Sequence, residues 1–287
     1  MHCSELFSIS SIHSALSLLY AGSTPNSKTQ AELSKALQSI ASIDLIKAQY
    51  KTLIESYKEQ QSFLYGNSIW TQNGFNVEKS FKADIKEHFD AETENIDFKN
   101  DTSVGVINSW ISKRTRGLIP KLVQGFPSST SMFLANALYF KDQWLVPFQE
   151  KNESGDSLNN ELFHGEFNMK VPMMLTSNVN IGAGVLNLGT NNATFVTIPY
   201  INDQFEMQII LPSNKPDGKG LAILEDFVIK NTKRDKHNVD NIFLSPKQAL
   251  DDVAEVRLTM PKFSVSSKFD ASDYLKSLGL TQLFRGK

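Results

Sequence analysis

The chain has 287 residues, of which 40% are hydrophobic and 21% charged, and its formal net charge is −2. These values are ordinary for a globular protein with a large core, in one large domain or two small ones, and they indicate no basic footprint for nucleic acid or an anionic membrane. The single cysteine, Cys3, excludes an internal disulfide and a cysteine-based metal cluster, and no apolar run is long enough to span a bilayer.

Helices are predicted in the first part of the chain. Ser8 to Gly22 carries apolar residues at helical spacing, and Gly22 is placed to end that helix. Similar spacing predicts helices over Thr29–Leu37 and Ile43–Tyr57. Ser8 and Ser11 stand at the start of the first helix, where serine is a common N-cap. The exposed face of Ile43–Tyr57 mixes lysines with glutamates, which favours a solvated surface over a polyanion site.

A strand, a helix and a second strand are predicted next. Phe63–Trp70 alternates as a strand does, Val77–Phe89 has helical spacing, and Glu92–Phe98 is a short polar strand. Thr102–Arg114 is predicted as an amphipathic helix that ends in cations, as suits the negative end of the helix dipole. Its apolar stripe consists of Val104, Ile107 and Ile111.

Met132–Phe140 is an almost unbroken apolar and aromatic run. It is the pattern of a central strand covered on both faces, although a buried helical turn also fits the periodicity. Asn136 interrupts the run. Because an unpaired buried amide costs about 1–3 kcal/mol, Asn136 is expected to be buried with a specific hydrogen-bond partner.

Successive strands are predicted in the second half, separated by Asn, Gly and Pro. They are Phe163–Met174, Val179–Leu188, Ala193–Tyr200, Phe205–Leu211 and Val256–Val265. A short helix is predicted over Ala271–Leu278, closed by Gly279.

No arrangement of residues indicates an enzyme. The histidines are scattered without zinc-ligand spacing, and there is neither a Gly-x-Ser-x-Gly elbow nor a Gly-Lys-Ser/Thr phosphate loop. Gly182-Ala183-Gly184 lacks the third glycine and the helix of a dinucleotide site. We therefore expect no catalytic residue, no cofactor and no metal.

Several motifs resemble those of serpins, the serine protease inhibitor superfamily, and they occur in the family's order along the chain. They are Ser8-Ile9-Ser10-Ser11-Ile12, Ile107-Asn108-Ser109-Trp110-Ile111 with Thr115-Arg116-Gly117-Leu118-Ile119, Asn136-Ala137-Leu138-Tyr139-Phe140-Lys141 with Trp144, Ile198-Pro199-Tyr200, and Met260-Pro261-Lys262-Phe263. Two positions depart from the family pattern: Ile9 replaces a proline and Asp142 a glycine.

The resemblance implies a single α+β domain with three β-sheets and about eight helices. The large, mostly antiparallel sheet would contain Phe63–Trp70, Glu92–Asp97, Ser131–Phe140 and part of Val256–Val265, with Thr102–Arg114 packed across its face. It also implies a group of residues that controls opening of this sheet, with Ser8 or Ser11 beside Asn136. That group is Ser8, Ser11, Asn108, Thr115, Gly117, Asn136 and Trp144. The polar segment Lys230–Gln248 would be a surface insertion.

The function implied is inhibition of a serine protease by insertion of a cleaved bait loop into the large sheet, and the alternative is a non-inhibitory serpin with a carrier, storage or chaperone role. The first helix would precede this chain, and the fifth strand of the large sheet, the bait loop and the last strands would follow Lys287. The chain by itself is therefore expected to be inactive, and poorly soluble or partly unfolded. The complete protein is expected to be a monomer that binds neither nucleic acid nor membrane.

Secretion is favoured over a cytoplasmic location, although the N-terminal residues have no signal-peptide pattern. Three sequons suit a secreted glycoprotein, but a chain this rich in Asn, Ser and Thr also carries such triplets by chance. The candidate glycosylation sites are Asn100, Asn152 and Asn192.

Overall fold

The computed structural model describes residues 8–37, 42–152, 154–164, 168–178, 182–188, 192–213, 220–224, 226–227, 256–265 and 272–284. The chain divides into two compact units, one of residues 1–141 with 265–287 and one of residues 142–264. The predicted insertion Lys230–Gln248 lies outside the described residues. The α+β class is confirmed by the mixture of helices and sheets.

The first unit contains a three-stranded sheet with helices on both faces. Its helices are α1 (Ile9–Ala21), α2 (Lys28–Ala36), α3 (Ile43–Tyr57), α4 (Lys79–Phe89), α5 (Asp101–Arg114) and α6 (Ser272–Ser277), followed by a 3₁₀ turn at Gln282–Phe284. Its strands are β1 (Phe63–Gln72), β2 (Ala91–Ile96) and β3 (Met132–Phe140), in the order β2-β1-β3. β1 runs parallel to β2 and antiparallel to β3.

Serine and asparagine caps begin several of these helices, as their sequences predict. Ser8 caps α1 by accepting the backbone N–H of Ser11, and Gly22 is the C-cap of the same helix. Ser42 and Asn100 cap α3 and α5 in the same way. Each cap satisfies one of the backbone N–H groups that the first turn of a helix leaves unpaired.

Two apolar cores lie on opposite faces of the sheet, because successive side chains of a strand point to opposite sides. Ile69 packs on one face with Leu18 of α1 and Phe89 of α4. Its neighbour Trp70 packs on the other face with Ile107 and Ile111 of α5. The prediction that the apolar stripe of α5 lies against this sheet is therefore confirmed.

The second unit is built from antiparallel strands. They are β4 (Glu161–His164), β5 (Asn168–Val171), β6 (Met173–Asn178), β7 (Gly182–Asn187), β8 (Asn192–Pro199), β9 (Glu206–Pro212) and β10 (Val256–Pro261). β4 pairs with β5, β6 with β10, and β7, β8 and β9 form a three-stranded sheet.

Two predictions about the strands are wrong. Val256–Pro261 does not join the sheet of β1–β3, because it pairs with β6, Val256 lying opposite Asn178. Phe163–Met174, predicted as one strand, contributes to β4, β5 and β6, and Phe163 in β4 lies opposite Met169 in β5.

Candidate functional site

A pair of asparagines lies at the centre of the sheet in the first unit. Asn67 of β1 and Asn136 of β3 are directly opposite each other in the antiparallel register. The Asn136 side-chain amide donates to Asn67 Oδ1 at 2.8 Å. Asn136 has its predicted specific partner, but the partner belongs to the neighbouring strand and Asn136 itself is only half-buried.

Asn67 connects three parts of the fold. Its Oδ1 accepts a second hydrogen bond, from Ser14 Oγ of α1 at 3.2 Å, and its Nδ2 donates to the Phe89 carbonyl at the end of α4 at 3.0 Å. Asn67 and Ser14 are both fully buried. A buried amide with both polar atoms occupied fixes β3, α1 and α4 relative to one another, because losing any partner would leave a buried group unpaired.

The expected contact of Ser8 or Ser11 with Asn136 is wrong. Ser8 accepts from the backbone N–H of Ser11, and the Ser11 hydroxyl donates to Ser8 Oγ at 2.8 Å. Ser8 Oγ thus accepts two bonds within the first turn of α1, as the N-cap alternative implies. The α1 serine that does reach the asparagine pair is Ser14, one turn further along the helix.

Aromatic hydroxyls surround this polar group. Burial raises the pKa of Tyr65, and the side chains of Ser14, Asn67 and Asn136 lower it only in part. Burial also raises the pKa of Tyr50, whose hydroxyl lies 2.6 Å from His13 Nδ1. Burial lowers the pKa of His13. Both shifts favour the neutral forms at neutral pH, so the contact between the imidazole and the phenol is uncharged.

One polar atom of the asparagine pair is left over. Asn136 Oδ1 is buried and has no hydrogen-bond partner among the described residues. β3 is an edge strand of the sheet that the described residues form. Asn136 thus keeps a buried acceptor that no described residue satisfies.

The other predicted residues of the first unit hold the exit of α5. Asn108 accepts the backbone N–H groups of Leu122 and Val123 and donates to the Val123 carbonyl at 2.8 Å. Thr115 Oγ1 donates to the Ile111 carbonyl and accepts the Ile119 N–H. These bonds fix the chain as it leaves the helix and turns back along it.

Trp144 is the one predicted sheet-opening residue that does not lie in the first unit. It belongs to the second unit, where its ring stacks on Tyr200 with centroids 4.4 Å apart and meets the edge of Phe148 at 5.5 Å. Its backbone also forms a β-bridge to Tyr200. Within its own unit, Trp144 has the contacts of a packing residue.

The three sequon asparagines differ in exposure. Asn100 and Asn192 are exposed, whereas Asn152 is half-buried. Asn100 Oδ1 accepts from Thr102 N as the cap of α5, which leaves its Nδ2 as the atom available to a glycan. The Asn152 Nδ2 donates to Asp156 at 3.1 Å.

Neither a metal-ion cluster nor a membrane-spanning helix is found in the described part of the chain. Within it, His, Cys, Asp and Glu side chains form no group of three that could hold a metal ion. None of its helices combines the length and the apolar character needed to cross a bilayer.

A family profile described as "Serpin (serine protease inhibitor)" matches residues 2–287. The chain belongs to the serpin family. Human neuroserpin (Homo sapiens) is 27% identical over 97% of this chain and 66% of its own length, and chicken neuroserpin (Gallus gallus) is 31% identical over 76% and 50%. This serpin chain therefore spans about half to two thirds of these curated relatives.

A similar solved structure, "Cleaved Serpin 42Da", has a TM-score of 0.77 with 22% identity, covering 96% of this chain and 69% of the other. At that identity the likeness establishes the serpin fold.

Proposed function

We propose that a longer protein containing this chain is a serine-type endopeptidase inhibitor that acts by inserting a cleaved bait loop beside β3. The observation that carries the proposal is the hydrogen-bond network that holds β3, an edge strand of the sheet formed by the described residues, to β1, α1 and α4. An incoming strand would supply backbone donors along that edge, which is the way an extended segment adds to a sheet.

The polar group beneath the sheet supports this proposal. Asn67 links β3 to β1, α1 and α4, so β3 stays attached to these elements while a strand adds at its other edge. A network of this kind gives the inserted strand a fixed neighbour to pair with. The protein is then an inhibitor whose work is a conformational change, rather than an enzyme.

The test compares two proteins. The first is the protein expressed from the coding sequence including the part downstream of Lys287, and the second is the 287-residue chain. Each is incubated with a panel of trypsin-like, chymotrypsin-like and elastase-like proteases and separated by SDS gel electrophoresis. We expect a covalent adduct, stable in SDS, with the longer protein and at least one protease, and only cleavage fragments with the 287-residue chain.

Either of two results would contradict the proposal. Cleavage of the longer protein without an adduct, over the whole panel, would favour the non-inhibitory alternative, in which the same fold serves carriage, storage or chaperoning. An adduct with the 287-residue chain would show that the bait bond lies within it, contrary to the sequence prediction.

We further propose that the complete protein is a secreted, monomeric glycoprotein. The exposed positions of Asn100 and Asn192 support modification there. Expression in a secreting eukaryotic cell should give a product in the medium that loses mass on treatment with an N-glycosidase. The double variant Asn100→Gln/Asn192→Gln should lose that shift, apart from any part due to Asn152.

A further inference from the structure

Two arginines at the end of α5 reach different strands of the sheet. Arg114 bonds to Glu92 on β2, and its guanidinium carbon lies 5.6 Å from the centre of the Trp110 ring. Its side chain passes directly over β1, where a Cβ at Gly66 would lie 3.0 Å from Arg114 Cδ. Gly66 therefore provides the space that this arginine occupies.

Arg116 reaches in the other direction. Its Nη2 donates to the Gln61 carbonyl, just before β1, at 2.8 Å. Its guanidinium carbon lies 5.1 Å from the centre of the Tyr139 ring on β3, a residue that is 7% exposed. Arg114 and Arg116 together thus attach the end of α5 to all three strands of the sheet.

The backbone at Arg116 is unfavourable without these contacts. Its φ is +49°, in the left-handed region that suits glycine or asparagine, and Gly117 follows at +81°. A non-glycine residue persists in this conformation when its surroundings hold it there. Here the surroundings include the Gln61 carbonyl and the Tyr139 ring.

We propose that Arg114 and Arg116 form a latch that holds the C-terminal end of α5 on the sheet and limits how often that end lifts. The inference deepens the proposed function, because the end of α5 is attached to β3, the strand beside which the bait loop is proposed to insert. Arg116 is the positioning residue of the latch at β3. An isolated exposed ion pair contributes little, but these two side chains combine cation–π contacts, a hydrogen bond to a carbonyl and an ion pair around one turn.

The experiment measures local opening in the protein expressed with the coding sequence downstream of Lys287, by native-state hydrogen exchange followed by mass spectrometry of peptides from α5. Arg116→Asn removes the guanidinium and keeps a residue that tolerates the left-handed backbone. Arg116→Gly removes the guanidinium and also relieves the strain. Lys113→Gln is the matched control, because Lys113 is an exposed cation of the same helical turn.

Amides of residues 108–119 should exchange about fivefold to tenfold faster in Arg116→Asn than in the Lys113→Gln control, while peptides from α1 and α4 keep their rates. Arg116→Gly should show the same local acceleration with a midpoint of global unfolding that is unchanged or higher. A purely structural role for Arg116 would instead accelerate exchange throughout the unit and lower that midpoint.

Unchanged rates at residues 108–119 in both Arg116 variants would overturn the latch, and so would an equal acceleration in all peptides of the unit. Neither outcome bears on protease inhibition, which the adduct experiment tests separately. A failure of the latch can therefore be told apart from a failure of the proposed function.

Discussion

Replacing Asn67 with alanine should destabilise the protein more than replacing Asn136. Asn67 is fully buried and makes three hydrogen bonds, to Asn136, Ser14 and the Phe89 carbonyl. At about 0.5–1.5 kcal/mol for each bond, Asn67→Ala should lower the free energy of unfolding by about 3 kcal/mol. Asn136→Ala removes one of these bonds and also a buried oxygen without a described partner, so its effect should be about 1 kcal/mol.

The two substitutions should also be coupled. Once Asn67 is absent, Asn136 has already lost its partner, and Asn136→Ala should then change stability little. The double variant is expected to be about 1 kcal/mol more stable than the sum of the single effects predicts. Unfolding in urea, followed by the fluorescence of Trp70 and Trp110 in the same unit, gives the required free energies.

Asn73→Ala is a matched control, because Asn73 is an exposed amide just beyond β1 and its replacement should change stability by no more than about 0.5 kcal/mol. The reasoning fails if Asn67→Ala is no more destabilising than Asn136→Ala, or if the two effects simply add. Either result would mean that the asparagine pair does not act as one network.

Two further predictions concern other parts of the chain. The Glu32 carboxylate accepts the backbone N–H of Gln282 at 2.8 Å and of Thr281 at 2.7 Å, and these bonds, that of Gln282 first, lower its pKa below the ordinary 4.5. A lowered folded-state pKa means that the stabilisation is complete above pH 4.5 and is lost as the pH falls through the folded value. Hydrogen exchange at residues 281–284 should therefore accelerate in acid, and Glu32→Gln should remove this pH dependence. In the second unit, Gly184→Ala should destabilise by about 1–3 kcal/mol, because the new Cβ would lie 2.4 Å from the Phe195 ring. An unchanged thermal midpoint in Gly184→Ala would contradict that contact.

The sequence predicts well those elements whose apolar spacing depends only on which face of the element is buried. α5 was predicted from the spacing of Ile107 and Ile111, and both residues are buried against the sheet. The run Met132–Phe140 forms β3, as the strand interpretation predicts. Phe133 faces one core of the sheet and Leu134 faces the other. Period and burial agree in these segments, and no distant partner is needed to interpret them.

Strand pairing is predicted less well, because the periodicity of apolar residues locates a strand but does not identify the strand with which it pairs. Val256–Pro261 has a clear strand pattern, but its partner is β6 rather than β3 or β2. Phe163–Met174 has apolar residues recurring along its length, yet its residues are shared among three strands. Register and partner depend on turns and on long-range packing, which a single sequence encodes only indirectly.

The role of Asn67 could have been suspected from the sequence. Gly66-Asn67-Ser68 places small and polar residues in the middle of a predicted strand, where a covered strand usually carries apolar side chains. Ser14 gives the same signal within the apolar stripe of α1, one turn beyond the serines that resemble the family motif. Buried polar residues need partners, so two unexplained ones in different elements are a reason to expect that they meet.

The residues of the polar network are therefore identified more reliably by asking which buried polar groups need hydrogen-bond partners than by their position in a family motif. Ser8 and Ser11 match the family pattern, but their hydroxyls bond to each other at the N-terminus of α1, and the hydroxyl that bonds to the asparagine pair is that of Ser14. Ser14 lies one turn further along, where its hydroxyl has no cap to form and points to Asn67. A helix presents a new residue on the same face every three or four positions. The partner of the buried Asn67 amide is thus the hydroxyl on the face of α1 that lies next to it, and in this chain that hydroxyl belongs to Ser14.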